Sequence, residues 1–205
     1  MKTIIISSAL LALVSLPLSS LAADNSVYVQ VNTGLGIATD TDIDNMPENA
    51  GTAKMTFEGG ALYTGAVGFD FAGPLRTELE YGWQKNDLDR LYYNNQFGHF
   101  NEGDLKVQSL MVNGYFDIDT GSAWSPFIGL GLGMAKVDLN TPALPFADND
   151  DVFAVQVIAG INFALNDKIS FDAQTRFFTT QDATIQGADF SFASNDFMLG
   201  ARFHF

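Results

Sequence analysis

The stretch Leu75-Arg76-Thr77-Glu78-Leu79-Glu80-Tyr81 carries charged side chains at its even positions and none at its odd positions. A side-chain period of two belongs to a β-strand, whereas an α-helix repeats every 3.6 residues. Trp83 continues the uncharged side and Gln84 the polar side. The segment from Leu75 to Lys85 is therefore predicted to be a strand with one apolar and one polar face.

The same alternation recurs along the rest of the chain and predicts eight strands. The other seven segments are Val27–Ile37, Ala61–Phe71, Leu105–Asp117, Pro126–Val137, Val155–Leu165, Ile169–Phe177 and Asp196–Phe205. The fourth strand is the least regular. In the preferred assignment of its faces, Val112 and Phe116 lie on the apolar face and Asn113 and Tyr115 on the polar face. The alternative is an assignment shifted by one residue.

The connections between these segments alternate in length. Those after strands two, four and six are short (72–74, 118–125 and 166–167), and those after strands one, three, five and seven are long and polar (39–59, 86–104, 138–152 and 179–193). Short turns at one end and long loops at the other are typical of outer-membrane barrels. The fold class is predicted as all-β, a closed eight-stranded antiparallel up-and-down transmembrane β-barrel, because an unpaired strand edge in hydrocarbon is costly.

The alternation alone does not decide which face points outward. A soluble barrel of the lipocalin type would turn its apolar face inward. The apolar face lacks ionised residues along the middle of each strand, and its aromatic residues form two bands, as at the two interfaces of a bilayer. The long-loop band comprises Tyr63, Trp83, Phe177 and Phe197, and the short-turn band Phe69, Phe71, Phe116, Phe163, Phe171 and Phe203. The apolar face is therefore predicted to contact lipid.

The first 22 residues have the composition of a cleaved signal peptide. Lys2 provides a positive start, Ile4–Leu18 an apolar run too short and interrupted to span a bilayer, and Ser20-Leu21-Ala22 a cleavage site with small residues. We expect residues 1–22 to be removed and residues 23–205 to form one outer-membrane β-barrel domain.

Composition excludes several classes of function. The chain has 24 acidic and 10 basic residues, a net charge of −14, so nucleic acid is not an expected partner. It also shows no polybasic stripe for anionic head groups. Because it lacks cysteine, neither disulfides nor thiolate metal sites are expected.

Six charged residues of the polar face are predicted to project into the lumen as one network. An unpaired charge there would be costly, so we expect oppositely charged partners, with strand three facing strands seven or eight. A gate or a weak ion path is the functional alternative, but eight strands leave room only for side chains, which favours a structural role. The six residues are Arg76, Glu78, Glu80, Asp172, Arg176 and Arg202.

Catalytic and metal-binding patterns are not found. The only histidines are His99 and His204, without a serine and an acid at suitable spacing, so no catalytic residue is predicted. The loop beginning at Asp40 resembles a calcium loop, yet Asn45 and Gly51 occupy the positions that require glycine and glutamate. We expect solvated loop acids and no metal or cofactor.

The whole chain after residue 22 resembles the outer-membrane barrel family that includes opacity-type surface proteins and the transmembrane domain of outer membrane protein A. The segments that carry the resemblance are 75–81, 126–133, 169–177 and 199–205. It implies eight strands, four surface loops and both termini in the periplasm. It also implies that the final strand, with Phe203 and Phe205, is the signal read by the barrel-assembly machinery. Two departures are noted: we expect no counterpart of the peptidoglycan-binding domain of full-length outer membrane protein A, so a cell-wall tether is not implied, and the loops are acidic.

The predicted function is that of a structural surface protein of the bacterial outer membrane, supporting envelope integrity and surface recognition or adhesion through its loops. Its expected partners are outer-membrane lipid, lipopolysaccharide, the barrel-assembly machinery and a host or surface ligand, and the protein is expected to be a monomer. A narrow channel for small solutes or ions is the main alternative, and an enzyme that modifies lipid A is another.

Overall fold

The computed structural model describes residues 26–39, 41–43, 53–71, 73–93, 96–98, 103–140, 148–185 and 188–205. The predicted signal peptide lies outside these residues and stays a prediction. Among the residues that the structure describes, no helix is long and apolar enough to cross a membrane.

Eight long strands form the body of the fold. They are β1 (Ser26–Ala38), β2 (Gly60–Asp70), β3 (Leu75–Tyr93), β4 (Asp104–Asp117), β5 (Trp124–Asn140), β6 (Asp148–Ala164), β7 (Ile169–Thr180) and β8 (Ala193–His204). Each strand pairs antiparallel with the next. β1 pairs with β8 from Tyr28 opposite His204 to Ala38 opposite Ser194, which closes the ring. The predicted closed eight-stranded antiparallel barrel is confirmed.

The apolar face of each strand points outward. On β5, Leu130 is 67% exposed, whereas the alternating Phe127 is buried inside. The preferred phase of the fourth strand is also confirmed, because Val112 is 54% exposed and Asn113 is fully buried. An exposed apolar band around a polar interior is the arrangement that a lipid bilayer favours.

The short connections turn tightly. Gly73 and Gly121 have φ angles of 117° and 66°, a left-handed conformation that favours glycine over residues with a Cβ atom. Asp119 accepts a hydrogen bond from the amide of Gly121 at 2.8 Å. In the last short turn, Asn166 Oδ1 accepts from the amides of Lys168 and Ile169.

The predicted extents of the long loops are wrong. β3 extends to Tyr93, β5 ends at Asn140 and β6 begins at Asp148. Much of 86–104 and 138–152 is therefore strand. The ranges predicted as loops also contain the short strands Thr41–Ile43, Ala53–Phe57, Gln96–Gly98, Ala183–Ile185 and Ala188–Phe190. Outside the bilayer both faces of a strand can carry polar groups, so the alternation that predicts membrane strands no longer marks where a strand ends.

On β4 the apolar side chains change from the outward face to the inward face where the strand leaves the apolar band. Leu105 and Val107 point inward and are at most 3% exposed, whereas Lys106 points outward. Further along the same strand Asn113 points inward and Val112 outward. This reversal explains why the phase of the fourth strand is hard to read from the sequence.

Candidate functional site in the barrel lumen

The polar faces of the eight strands meet in a narrow lumen, which is where chemistry or conduction would occur. All six predicted network residues project into it and are between 1% and 5% exposed. Three arginines each hold a group of partners, and hydrogen bonds join the groups. Asn113 donates to Tyr115 in the group of Arg76 at 3.3 Å and accepts from Gln156 in the group of Arg176 at 2.7 Å. Asn32 in the group of Arg202 donates to Thr64 at 2.8 Å, and Thr64 hydrogen-bonds Glu80 in the group of Arg176.

The first group surrounds Arg76 near the short-turn end. Its Nη1 lies 2.8 Å from Glu78 Oε1, and its Nε lies 2.8 Å from Asp117 Oδ2. The hydroxyls of Tyr28 and Tyr115 donate to the two oxygens of Glu78 at 2.7 and 2.8 Å. The guanidinium carbon also lies 3.7 Å from the centre of the Tyr115 ring, a cation–π contact. Both oxygens of Glu78 therefore accept hydrogen bonds, whereas Nη2 of Arg76 is buried without a hydrogen-bond partner among the described residues.

The second group crosses the barrel. Arg176 Nε on β7 lies 2.7 Å from Asp196 Oδ2 on β8, and its Nη1 lies 3.4 Å from Glu80 Oε1 on β3. Gln156 accepts from Arg176 Nη1 at 3.2 Å and donates to Glu80 and to Asn113. Contact between β3 and β7 agrees with the pairing scheme expected from the sequence.

The third group surrounds Arg202 on β8. Its Nη2 lies 3.1 Å from Asp172 Oδ2, and its Nε donates to Gln30 Oε1 at 3.0 Å. Asn162 donates to the same aspartate at 2.8 Å, and Gln30 donates to Asn32 at 2.9 Å. These bonds tie β1, β6, β7 and β8 together through their inner faces.

Sequence reasoning did not single out the other partners of the three arginines, among them Tyr28, Tyr115, Asp117 and Asp196. Asp196 lies on the polar face of the last strand, so the alternation already placed it inside. The two tyrosines also fall on polar faces, where a phenol can hydrogen-bond. Counting every polar group on the inner face, and not only the clearest charges, would have found them.

The interior changes character at the long-loop end. Here buried apolar side chains pack beside the buried amides of Gln84 and Asn86, and we call the apolar set the apolar plug. The rings of Phe178 and Phe192 within it are 6.1 Å apart. The plug consists of Ala38, Leu105, Val107, Met111, Ala135, Val137, Val152, Ala154, Phe178 and Phe192.

A cavity of about 470 Å³ opens at the short-turn end. At its rim Ser26, Asp70 and His204 come together, with His204 Nδ1 3.3 Å from Asp70 Oδ2 and 3.4 Å from Ser26 Oγ. In a catalytic triad the serine and the acid contact different ring nitrogens. Here both contact the same nitrogen, and Ser26 itself donates to Asp70 at 3.1 Å. The arrangement does not activate the serine.

A metal site is not assembled in the described residues, where no group of three or more histidines and carboxylates is arranged to hold an ion. Asp40, Asn45 and His99 lie outside the described residues, and so does the loop that resembles a calcium site apart from Thr41–Ile43.

Comparison with known proteins agrees with this architecture. The chain is 29% identical over 182 residues to "Outer membrane protein PagN" of Salmonella typhimurium, and the match covers 74% of each protein. Its fold is similar to that of Neisserial surface protein A, with a TM-score of 0.64, 19% identity and coverage of 89% of this chain and 100% of that one. Its fold is also similar to that of the outer membrane protein OprG from Pseudomonas aeruginosa, with a TM-score of 0.63, 14% identity and coverage of 88% of this chain and 96% of that one. Residues 8–205 match the family described as "Outer membrane protein beta-barrel domain", and the chain therefore belongs to that family of the bacterial outer membrane.

Proposed function

We propose that this protein is a non-conducting, non-enzymatic barrel that strengthens the outer membrane and presents acidic surface loops for recognition. The observation that carries the proposal is the filled lumen. Arg76, Arg176 and Arg202 are each bonded to buried carboxylates, and the apolar plug lies beyond them toward the long-loop end. Ions would have to disrupt both layers to pass, because the interior of an eight-stranded barrel is only wide enough for the side chains that fill it.

The strands that extend past the apolar band support a role in presentation. β3, β4, β5 and β6 continue beyond the lipid-facing residues, so the loops between them are held away from the membrane on a rigid sheet. Loops on a rigid scaffold are common binding sites. The described chain begins and ends at the short-turn end, which supports periplasmic termini and long loops at the cell surface.

Single-channel recording in planar bilayers tests the closed lumen. The purified barrel is expected to give only background current at neutral pH. Steady, reproducible openings that survive repurification would overturn the proposal in favour of a narrow channel. Mass spectrometry of lipid A from cells with and without the protein tests the absence of enzymatic activity, and a reproducible change in acyl mass would contradict it.

Orientation can be tested cleanly because the chain has no cysteine. Gln181→Cys lies just beyond β7 at the long-loop end, and Asp119→Cys lies in a short turn. On intact cells a membrane-impermeant maleimide should label the first variant and leave the second unlabelled until the membrane is opened. The reverse labelling pattern would place the termini outside.

A further inference from the structure

The cavity of about 470 Å³ at the short-turn end has a polar wall to which six strands contribute. The residues that line it belong to β2, β4, β5, β6, β7 and β8 and to the turn between β6 and β7. Small-molecule sites in proteins commonly occupy about 300–1,000 Å³, so the cavity has the size of a binding site. It leaves room for a ligand below the filled part of the lumen.

Ser170 contributes to this wall a hydrogen-bonding group that has no partner in the described residues. Its side chain lies on the inner face of β7 and is 4% exposed, whereas the next residue, Phe171, points outward. The Oγ atom of Ser170 is buried and makes no hydrogen bond within the described chain. Most buried hydroxyl groups in proteins are hydrogen-bonded, so an unpaired one calls for an explanation. A molecule bound in the cavity would provide the missing partner.

The ion pairs around the cavity leave negative charge in excess. Arg76 lies 2.8 Å from both Glu78 and Asp117, so a single positive charge faces two negative ones. Arg202 lies 3.1 Å from Asp172, and these two charges balance each other. The pairs therefore keep one uncompensated negative charge, and Asp117 lines the cavity.

Two further carboxylates line the cavity. Asp70 lies 3.3 Å from Nδ1 of His204, which is positively charged only when it is protonated. Asp167 lies in the β6–β7 turn and is exposed. Five carboxylates thus face two guanidiniums and one histidine, a net charge of −3 with the histidine neutral and −2 with it protonated. Lys168 of the same turn is exposed and does not line the cavity, and counting it leaves the balance negative. Such a field favours a cation.

The spacing of the lining carboxylates indicates which kind of cation fits. One strand lies between β2 and β4, so the Cα atoms of Asp70 and Asp117 are roughly 10 Å apart. Asp167 follows β6, which lies across the ring from β2. In the described residues no group of three or more histidines and carboxylates is arranged to hold a metal ion. A linear polyamine carries several ammonium groups on a flexible chain, so it can contact separate carboxylates at once.

We propose that this cavity binds a linear polyamine. Its ammonium groups donate charge-assisted hydrogen bonds to the carboxylates of Asp70, Asp117 and Asp167, and one N–H group donates to Ser170 Oγ. A ligand that binds only the folded barrel also stabilises it by mass action. The site lies apart from the filled lumen and the surface loops, so it goes beyond the proposed function and does not depend on it.

Protection of a single thiol measures binding at the cavity itself. The chain has no cysteine, so Ser125→Cys places the only thiol on the cavity wall, and Gln181→Cys places it at the long-loop end. Each variant is labelled with N-ethylmaleimide, which is uncharged, in non-ionic detergent with increasing spermidine. Spermidine is expected to slow the labelling of Ser125→Cys at concentrations that leave Gln181→Cys unaffected. Heat-modifiable migration confirms that each variant is folded.

Further substitutions in the Ser125→Cys protein test the contacts. D70N/D167N should raise the spermidine concentration for half-protection about tenfold or more, because charge-assisted hydrogen bonds are lost. The matched control D119N changes an exposed carboxylate in another short turn at the same end and should have no effect. S170A should raise the half-protection concentration about threefold while leaving the urea midpoint without spermidine unchanged or higher, because Oγ has no partner to lose.

Two other cations distinguish a polyamine site from general screening of the acidic protein. Butylamine, which has one ammonium group, should need at least about a tenfold higher concentration than spermidine, because it forms fewer charge-assisted hydrogen bonds. Mg²⁺ should not protect at the concentrations at which spermidine does. Equal protection of the two thiols, equal protection by Mg²⁺ and spermidine, or an unchanged half-protection concentration in D70N/D167N would each overturn the proposal. An unchanged value in S170A would remove Ser170 from the site. Labelling in micelles depends on neither orientation nor conductance, so these outcomes leave the proposed function untouched.

Discussion

Arg176 on β7 and Glu80 on β3 originate from opposite walls of the barrel, yet their Nη1 and Oε1 atoms lie 3.4 Å apart. Three strands lie between them in either direction around the ring. Two side chains can meet across the interior because an eight-stranded barrel is only wide enough to be filled by its own residues. The contact fixes the distance between walls that share no backbone hydrogen bonds.

The partners of Arg176 should contribute unequally to stability. Asp196→Asn removes the carboxylate at 2.7 Å and is expected to lower the free energy of unfolding by about 3–5 kcal/mol, because it leaves a buried guanidinium with its main partner gone. Glu80→Gln should cost less, about 1–2 kcal/mol, since Arg176 keeps Asp196. Urea unfolding in lipid vesicles measures both losses. Equal losses would show that the contact across the barrel matters as much as the neighbouring one.

Two glycines on neighbouring strands test how tightly the interior is packed. A Cβ atom at Gly129 would overlap the Tyr115 ring, whereas a Cβ atom at Gly114 would meet nothing within 4 Å. Gly129→Ala should therefore destabilise the barrel by about 1–3 kcal/mol. Gly114→Ala should be neutral or slightly stabilising, because alanine loses less backbone entropy on folding. If both variants unfold at the same urea concentration, the lumen near Tyr115 is looser than its contacts indicate.

The membrane-spanning part of this fold could be predicted from the sequence because lipid imposes a simple rule. Within the bilayer a strand such as β7 must turn Phe171 and Phe177 outward and Asp172 and Arg176 inward, so alternation gives both the strand and its faces. Outside the bilayer that rule ends. The continuation of β3 to Tyr93 and the inward-facing Leu105 on β4 were missed for this reason.

The sequence predicts which side chains lie in the lumen but not which of them contact each other. Alternation places Arg202 and Asp172 inside, yet their contact depends on the registers between β7 and β8, which sequence spacing leaves open. Lys85 and Lys106 likewise become neighbours only through the register between β3 and β4.

Phe178 tests the contribution of the apolar plug. Its side chain is 1% exposed and packs near Phe192, so Phe178→Ala should lower the free energy of unfolding by about 3–5 kcal/mol. Phe178→Leu keeps much of the volume and should cost less than about 1.5 kcal/mol. Comparison of the two urea midpoints separates packing from the mere presence of an apolar residue. A small loss in Phe178→Ala would mean that the plug is poorly packed.

Phe203 and Phe205 test the proposed assembly signal. Their rings lie 5.1 Å apart on the outer surface, and Phe205 is 75% exposed, so neither fills the lumen. The double variant F203A/F205A is expected to refold in detergent nearly as the parent does but to reach the outer membrane of cells in much smaller amounts. Heat-modifiable migration gives the first result and membrane fractionation the second. Normal amounts in the outer membrane would contradict a signal at these residues.

The position of the bilayer along β8 can be located with a single arginine at two depths. Leu199 lies in the middle of the outward face and is 68% exposed, whereas Asn195 lies toward the long-loop end of the same face. Leu199→Arg should cost about 2–4 kcal/mol, because the charge would enter hydrocarbon, and Asn195→Arg about 0–1 kcal/mol near the interface. Urea unfolding in phosphatidylcholine vesicles measures both. Since the two residues share one strand, a similar cost at both positions would show that the hydrocarbon of the membrane extends past Asn195 toward the long-loop end.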